Sequence, residues 1–233
     1  MSDKNFVIVG GSHGIGFGIV QRLLADGATV TVLSRTEGQL AGLDGVKHSA
    51  VDVTKDEINE GLLPESIDGL AYCPGSINLR SFRGLKPEIF REDFELNFIG
   101  AIKCLQAALP GLKKADSSSV LMFSTVAVGQ GMSMHASVAA SKGAIEGLTR
   151  SLAAELAPKV RVNCIAPALT NTPLAERFFA NEEKAASLGQ MYPLKRTGTV
   201  DDMASLGAFL LSDQAAWVTG QVMGVDGGLS AVG

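Results

Sequence analysis

Closely spaced glycines near the amino terminus lie between an apolar run and a helical pattern. Phe6–Val9 leads directly into Gly10-Gly11-Ser12-His13-Gly14-Ile15-Gly16, whose glycine spacing is G-x-x-x-G-x-G. Such glycines let the backbone approach a pyrophosphate closely, and the first N–H groups of the following helix face the anion. Because the loop joins a predicted strand to a predicted helix, it predicts a dinucleotide-binding site. We assign to this site Gly10, Ser12, His13, Gly14, Ile15 and Gly16.

The end of the second predicted strand distinguishes the two common dinucleotides. NAD sites usually place an acidic side chain there for the ribose 2′-hydroxyl, whereas NADP sites need a cation for the 2′-phosphate. This strand ends in Leu33-Ser34-Arg35 and carries no carboxylate at its tip. The forked donors of Arg35 suit a phosphate, and His13 could be a second partner. The sequence therefore predicts NADP(H) at Ser34 and Arg35, unless Arg35 is only a solvated loop charge.

The elements that would position these loops alternate regularly along the chain. Near-continuous apolar runs, typical of parallel strands covered on both faces, alternate with longer amphipathic stretches. The alternation predicts an α/β fold, a three-layer, doubly wound parallel sheet of the Rossmann type with about seven strands, as a single domain over residues 1–233. The predicted strands are Phe6–Val9, Thr29–Leu33, Val46–Val51, Leu70–Cys73, Val120–Phe123, Arg161–Ile165 and Val222–Val225. The predicted helices are Ile15–Ala25, Asp56–Leu63, Glu88–Leu109, Ala140–Leu156 and Asp201–Leu211.

A longer segment after the sixth predicted strand interrupts this alternation. It contains the predicted helices Leu174–Ala180 and Glu182–Leu188 and lies past the carboxyl end of a strand, where α/β sheets bind ligands. We expect a substrate lid at about residues 170–199, the alternative being an ordinary surface excursion. Its apolar side chains suggest an apolar small-molecule substrate, although they could equally be core. They are Leu174, Phe178, Phe179 and Met191, together with Met132.

Composition excludes several other classes of protein. Hydrophobic residues make up 46% and charged residues 19%, as expected of a globular core. The net charge of −4 argues against nucleic-acid binding. No apolar run approaches the ~20 residues of a membrane span, and the first one is shorter than the ~7–15 residues of a signal-peptide core. Cys73, Cys104 and Cys164 lack metal-ligand spacing, so we expect buried free thiols, no metal and a cytoplasmic location.

Ordered motifs along nearly the whole chain resemble those of the short-chain dehydrogenase/reductase family in its compact single-domain form. They are the glycine loop, Asp52-Val53, Asn97, Ser141-Lys142, Val162–Pro167, Thr170, Thr172-Pro173, Trp217–Gln221 and Val225–Gly228. The resemblance implies an oxidoreductase in which Asp52 and Val53 flank the adenine. It also implies that Pro167, Thr170 and Thr172 flank the nicotinamide and pyrophosphate.

Two segments depart from the family pattern without changing its chemistry. The family's Asn-Asn-Ala-Gly segment is Tyr72-Cys73-Pro74-Gly75 here, and its Pro-Gly is Pro167-Ala168. We expect both to preserve backbone contacts with the cofactor. The resemblance thus adds Cys73, Pro74 and Gly75 to the cofactor-binding residues.

A third departure removes the family's proton donor. Family members carry Tyr-x-x-x-Lys on a helix, where the ammonium lowers the phenol's pKa, and a Ser thirteen residues before the Tyr. Lys142 fills the lysine position, but Val138 replaces the tyrosine and Thr125 replaces the serine. The resemblance implies that Thr125 binds the substrate oxygen and that Lys142 binds the nicotinamide ribose. It implies that Asn97 holds the lysine through water.

Another group must then supply the proton. His135 precedes Lys142 by seven residues, the spacing at which the enoyl-reductase branch of the family carries its tyrosine, and an imidazole titrates near neutral pH. The alternative is a loop histidine on the rim of the site. Lys142 itself and Tyr192 are further candidates, whereas neither Tyr72 nor Ser137 is well placed.

Three hypotheses follow. The protein is an active reductase, best suited to an enoyl substrate, whose acid is His135 or a substrate-bound water. Alternatively, it reduces a carbonyl with Lys142 and water, or it is a non-catalytic NADP(H)-binding sensor or scaffold. Small residues on one face of Gly143–Leu152 allow close helix approach, although packing on its own sheet could also explain them. By resemblance, this helix pairs with the one holding Asn97 in a homodimer or homotetramer.

Overall fold

Seven parallel strands form one sheet in a computed structural model of the chain, which describes residues 1–232 apart from the side chains of Glu182 and Lys184. The strand order is β3-β2-β1-β4-β5-β6-β7, so the order reverses between β1 and β4. A cleft at such a reversal, outside the carboxyl ends of the strands, is where doubly wound sheets bind nucleotides. The strands are β1 (Asn5–Val9), β2 (Thr29–Ser34), β3 (Val46–Ala50), β4 (Gly69–Tyr72), β5 (Ser118–Phe123), β6 (Val160–Pro167) and β7 (Val222–Val225).

Helices cover both faces of this sheet. A π-helical segment at Glu95–Ile99 joins two of them into one long rod. The helices are α1 (Gly14–Ala25), α2 (Pro87–Phe94), α3 (Gly100–Lys114), α4 (Ala127–Gln130), α5 (Ala136–Leu156), α6 (Glu176–Phe179), α7 (Glu182–Gln190) and α8 (Val200–Leu211).

Each face of the sheet has its own hydrophobic core, because successive strand side chains point to opposite sides. Val7 and Val9 of β1 pack with α3 and α5 on one face. Phe6 and Ile8 pack with α1 and α8 on the other. All four side chains are fully buried, which explains why the strands read as continuous apolar runs. The result is the predicted three-layer Rossmann fold.

The predicted strands are all present, with ends within two residues of the expected positions. The predicted helix Asp56–Leu63 is wrong, because only a short 3₁₀ turn forms at Glu60–Leu62. Upstream, the Asp56 carboxylate accepts a hydrogen bond from the Asp52 backbone at 2.7 Å and closes a turn instead. Downstream, Pro64 disfavours the helical conformation of the residue before it.

Three other predicted helices need correction. Glu88–Leu109 is not one regular α-helix, since the π-helical segment interrupts it and the rod continues to Lys114. The helix predicted at Ala140–Leu156 begins four residues earlier, at Ala136, which places Val138 within α5. Leu174–Ala180 comprises a 3₁₀ turn at Pro173–Ala175 followed by α6.

The cysteine prediction holds in part. All three thiols are free; Cys104 and Cys164 are buried, but Cys73 is partly exposed because it follows β4 at the edge of the cleft. Within residues 1–232, no helix combines the length and apolar character needed to cross a membrane.

Candidate functional site

The glycine loop lies between β1 and α1. Gly10 and Gly14 adopt positive φ values of 75° and 56°, which side chains with a Cβ rarely tolerate. A Cβ at Gly16 would collide with the carbonyl oxygen of Gly10, so the loop can close tightly only with glycine there. The opening turn of α1 follows directly, and its free N–H groups suit a pyrophosphate. The loop thus fits the dinucleotide that its sequence predicts.

A cleft of about 570 Å³ extends from this loop over the ends of β2, β3 and β4. It gathers predicted cofactor residues from four separate parts of the chain. These are Gly10, Ser12, His13, Ser34, Arg35, Asp52, Val53, Pro74 and Gly75.

The Asp52 carboxylate is fixed within this cleft. It accepts hydrogen bonds from the Thr54 hydroxyl at 2.7 Å and the Thr54 backbone at 3.1 Å, and Lys55 lies 3.4 Å away. The hydrogen bonds from Thr54 and the charge of Lys55 lower the pKa of Asp52. Its orientation within the cleft is therefore set by its own turn.

Arg35 is exposed beside the cleft, and its guanidinium makes no hydrogen bond or ion pair with any of the described residues. His13 packs against Gly38, which follows Arg35 on the same side of the cleft. Its Nδ1 lies 3.1 Å from the Ser12 hydroxyl. A cation with free donors at the end of β2 is the arrangement that a ribose 2′-phosphate needs.

The remaining predicted cofactor residues lie around the loop and on β6. Thr172 approaches the glycine loop, since its Cβ and methyl group would lie 3.6 Å from a Cβ on Gly14. Thr170 is buried and donates to the Ala168 carbonyl at 3.0 Å. Pro167 ends β6, Cys73 follows β4, and Ile15 is the second residue of α1.

Val138 and Lys142 lie one turn apart on α5, and each is 6% exposed. The tyrosine position is therefore occupied by a buried aliphatic side chain. Burial lowers the pKa of Lys142 to about 8, against the opposing effects of Cys164, Cys73 and Asp93. The amine can thus exchange a proton near neutral pH, which an exposed lysine does poorly.

Asn97 lies next to this lysine in the π-helical segment and is fully buried. Its amide nitrogen donates to the Ser76 and Ser141 hydroxyls, each at 3.0 Å. A Cβ on Gly75 would lie 3.4 Å from Lys142 Nζ and 3.5 Å from Asn97 Oδ1. Both polar atoms therefore face the same side of Gly75, and the structure brings Asn97 and Lys142 together.

Thr125 and His135 lie after β5 and before α5, respectively. Thr125 is half-buried just beyond β5, and its hydroxyl oxygen accepts from the Ala127 backbone at 3.3 Å. His135 is the residue immediately before α5, where its Nδ1 lies 2.7 Å from the Ser133 carbonyl. Because a carbonyl only accepts, Nδ1 carries the proton and Nε2 is left as the free ring nitrogen.

Both tyrosines of the chain are buried. The Tyr72 hydroxyl donates to the Leu96 carbonyl at 2.5 Å, and burial raises its pKa. Tyr192 packs against Gly227, and burial raises its pKa while the Leu169 backbone opposes the shift. Neither phenol is activated as the family's catalytic tyrosine is.

Sequence reasoning missed a polar cluster behind Lys142. Asp93 in α2 is 1% exposed, and its Oδ1 accepts from the Ser76 hydroxyl at 2.5 Å and from the Asn78 amide at 2.7 Å. The available signal was the position of Asp93, one helical turn before Asn97. This signal is hard to recognise in the sequence because the other acidic residues of α2 are exposed.

Comparisons with known proteins agree with this geometry. Residues 9–230 match the family described as "Enoyl-(Acyl carrier protein) reductase". The chain is 33% identical to 2,3-dihydroxy-2,3-dihydro-p-cumate dehydrogenase of Pseudomonas putida over 239 residues, covering 95% of this chain and 92% of the relative. The chain therefore belongs to the short-chain dehydrogenase/reductase family, and it is an oxidoreductase by that membership.

Solved structures show the same fold. Aldohexose dehydrogenase of Thermoplasma acidophilum, solved in ligand-free form, matches with a TM-score of 0.88 at 29% identity, covering 98% of this chain and 94% of that one. ElxO with NADP bound matches with a TM-score of 0.90 at 25% identity, covering 98% and 99%.

Proposed function

We propose that the protein is an NADP(H)-dependent oxidoreductase that reduces a carbonyl or enoyl substrate with a proton donor other than tyrosine. The observation that carries this proposal is the pairing of a partner-free Arg35 at the cleft with a buried Lys142 beside Asn97. Arg35 favours the phosphorylated dinucleotide. Lys142 supplies positive charge and a labile proton at the place where the family performs its chemistry.

The dinucleotide, when bound, supplies the hydride. Thr125 binds the substrate oxygen through its hydroxyl. Lys142 binds the nicotinamide ribose and stabilises negative charge that develops on the substrate oxygen. Asn97 holds the lysine side chain from behind, through water.

Lys142 is the best-supported proton donor. Its pKa of about 8 leaves most of the amine protonated at neutral pH yet able to release the proton to a developing oxyanion. His135 remains the second candidate because its Nε2 is free, and a substrate-bound water or Tyr192 would be the source if neither acts. The description of the matched family supports an enoyl substrate, whereas the name of the Pseudomonas relative supports a hydroxyl–carbonyl pair.

The substrate is proposed to be a small apolar molecule held under a lid at residues 170–199. Leu174, Met191 and Leu194 expose more than half of their surface there, and Met132 and Met134 are exposed before α5. Arg177 of α6 donates to the Ile77 carbonyl at 2.7 Å and links the lid to the loop after β4. The free thiols support a reducing compartment such as the cytoplasm.

Fluorescence titration with NADPH and NADH tests the cofactor proposal. We expect the wild-type protein to bind NADPH more tightly, and Arg35→Ala to weaken NADPH about 10- to 100-fold while leaving NADH unchanged. Arg91→Ala, which removes an exposed guanidinium from α2, is the matched control and should change neither affinity. Equal wild-type affinities, or an NADH preference, contradict the proposal.

The second candidate function is that of a non-catalytic NADP(H)-binding protein. It is favoured by Val138, which has no proton to donate at the position where the family carries its tyrosine. The two functions separate on a panel of ketones and enoyl thioesters with NADPH. Turnover that disappears in Lys142→Met establishes the reductase. Tight NADPH binding without turnover of any substrate in the panel supports the sensor or scaffold.

A further inference from the structure

A buried carboxylate lies behind Lys142, and the mechanism above does not use it. Asp93 is 1% exposed in the last turn of α2. Its Oδ1 is held by Ser76 and Asn78, whereas its buried Oδ2 has no hydrogen-bond partner among the described residues. A buried charge is costly unless an opposite charge or further hydrogen bonds compensate it. The unpaired oxygen therefore points to a compensating group nearby.

Two further buried polar atoms lack partners within residues 1–232, Asn97 Oδ1 and Ser137 Oγ. Both rods, α2–π–α3 and α5, return the chain between parallel strands on the same face, so they run in the same direction. Asn97 donates to Ser141 at 3.0 Å across the two rods. One turn earlier on each rod stand Asp93 and Ser137. The unpaired atoms thus belong to one polar seam between the rods.

Lys142 faces this seam. Its Nζ and the unpaired Asn97 Oδ1 lie 3.4 and 3.5 Å from the position of a Cβ on Gly75. The amine and the amide oxygen therefore border the same space beside Gly75. An ammonium donor and unpaired acceptors are complementary, and a water needs two to four such partners to be held in a buried site.

We propose that Asp93 is a positioning residue for Lys142: its charge, carried across the seam by Asn97, Ser137 and bound water, keeps the amine protonated until the substrate takes the proton. The inference rests on the proposed function and deepens it. In the step itself, an N–H bond of the ammonium breaks as an O–H bond to the substrate oxygen forms, directly or through one water. The hydride comes from NADPH, and the neutral amine regains a proton from solvent along the seam.

The other titratable groups around Lys142 do not account for keeping its amine protonated. Cys164 on β6 and Cys73 after β4 oppose the lowering of the Lys142 pKa only as thiolates, and burial raises the pKa of each thiol to about 12, so both are uncharged at neutral pH. Glu146, one turn later on α5, accepts from Ser124 at 2.7 Å and lies 4.0 Å from Arg150. His135 precedes Val138 at the start of α5 and is bound to the Ser133 carbonyl. Asp93, on the neighbouring rod, is the carboxylate whose charge raises the pKa of Lys142, after Cys164 and Cys73 in size of effect.

Titration of Lys142 by NMR, with lysine labelled at Cε and Nζ and the signal assigned by Lys142→Met, tests the proposal. Asp93→Asn keeps an oxygen for Ser76 and Asn78 but removes the charge. We expect the Lys142 midpoint to fall by on the order of one pH unit. Glu92→Gln, an equal loss of charge at the exposed adjacent residue, should leave it unchanged.

A folded Asp93→Asn protein with the wild-type Lys142 midpoint overturns the proposal. If that variant does not fold, Asp93→Ser, which is smaller and leaves room for water, carries the same test with the same two outcomes. The pH at which reduction is half-maximal should move down with the midpoint, a change that loss of fold stability alone does not produce. NADPH affinity is measured separately. If the proposed function is wrong, NADPH does not bind, but the titration still reports the effect of the Asp93 charge on Lys142.

Discussion

At the scale of single residues, the site keeps the lysine of its family and loses the phenol. Val138 is buried and apolar and has no proton to donate, whereas Lys142 combines burial with a pKa of about 8. A lysine in water titrates near 10.4 and is a weak acid at neutral pH. Burial therefore moves this amine toward the range in which an acid catalyst is useful.

The pH dependence of reduction separates Lys142 from His135. If the ammonium gives the proton, the rate is highest below pH 8 and falls about tenfold per unit above it, because the neutral amine cannot donate. Steady-state rates with saturating NADPH from pH 5.5 to 9.5 measure this. A pH-dependent decline that is lost in His135→Gln contradicts the assignment to Lys142.

Restoring the phenol tests whether Thr125 and Lys142 are positioned for catalysis. Val138→Tyr places a hydroxyl one turn from Lys142, and general-acid help is worth about 10²–10⁴-fold. We expect reduction of simple ketones to rise by at least the lower figure. Val138→Phe has nearly the same volume without the hydroxyl and should not gain. Equal rates in the two variants would show that Thr125 and Lys142 are not positioned as proposed.

At the scale of elements, the π-helical segment links Tyr72 to the site. The Tyr72 hydroxyl donates to the Leu96 carbonyl at 2.5 Å, and Leu96 immediately precedes Asn97. A π-turn widens the rod and leaves carbonyls free to accept such bonds. Tyr72, which replaces the family's asparagine, thereby helps hold the segment that carries Asn97.

Gly100 makes room for this tyrosine. A Cβ there would lie 2.5 Å from the Tyr72 hydroxyl, so Gly100→Ala should lower the free energy of unfolding by about 1–3 kcal/mol through overpacking. Urea unfolding measures the loss. Gly129→Ala, at an exposed helical glycine with nothing within 4 Å, is the control. The loss in free energy of unfolding caused by Gly100→Ala should be smaller in a Tyr72→Phe background. An equal loss in that background would show that the new methyl group does not clash with the Tyr72 hydroxyl.

How much the sequence could predict differs between elements. The five inner strands were predictable because they are buried on both faces, which leaves a strong apolar signal, whereas the edge strands β3 and β7 are partly exposed. The π-helical segment was not, since no pattern of its residues marks an extra residue per turn and its contact with Tyr72 joins distant parts of the chain. The helix predicted at Asp56–Leu63 was wrong because the carboxylates of Asp52 and Asp56 accept backbone hydrogen bonds, which compete with the helix locally.

The candidate site likewise has residues that the sequence could predict and one that it could not. Val138, Lys142 and Thr125 could be placed by counting from a motif. Asp93 could not, because the two preceding residues Arg91 and Glu92 are exposed and nothing in the sequence marks Asp93 as buried. Only the packing of α2 against α5 turns it inward.

At the scale of the whole molecule, the outer face of α5 is shaped for close contact. Arg150 and Glu155 are exposed and charged on the side of α5 that points away from the sheet, but five small, uncharged residues recur there at helical spacing. They are Ala140, Ala144, Gly147, Ser151 and Ala154. Small residues let two helices approach closely, so this face suits a two-fold contact with a second copy of the chain. Because α5 also carries Val138 and Lys142 on its inner side, such a contact would brace the site.

Ala144→Arg tests that assembly. We expect light scattering after gel filtration to give the wild-type protein a mass that is a multiple of 24.2 kDa, consistent with a dimer or tetramer. An arginine in the centre of the small-residue face cannot be desolvated without a partner, so the variant should shift to smaller species at the same concentration. Gln21→Arg, on the exposed side of α1, adds the same charge elsewhere and should keep the wild-type mass. A wild-type protein that runs at 24.2 kDa, or an Ala144→Arg variant of unchanged mass, would show that the small residues of α5 serve only packing within one chain.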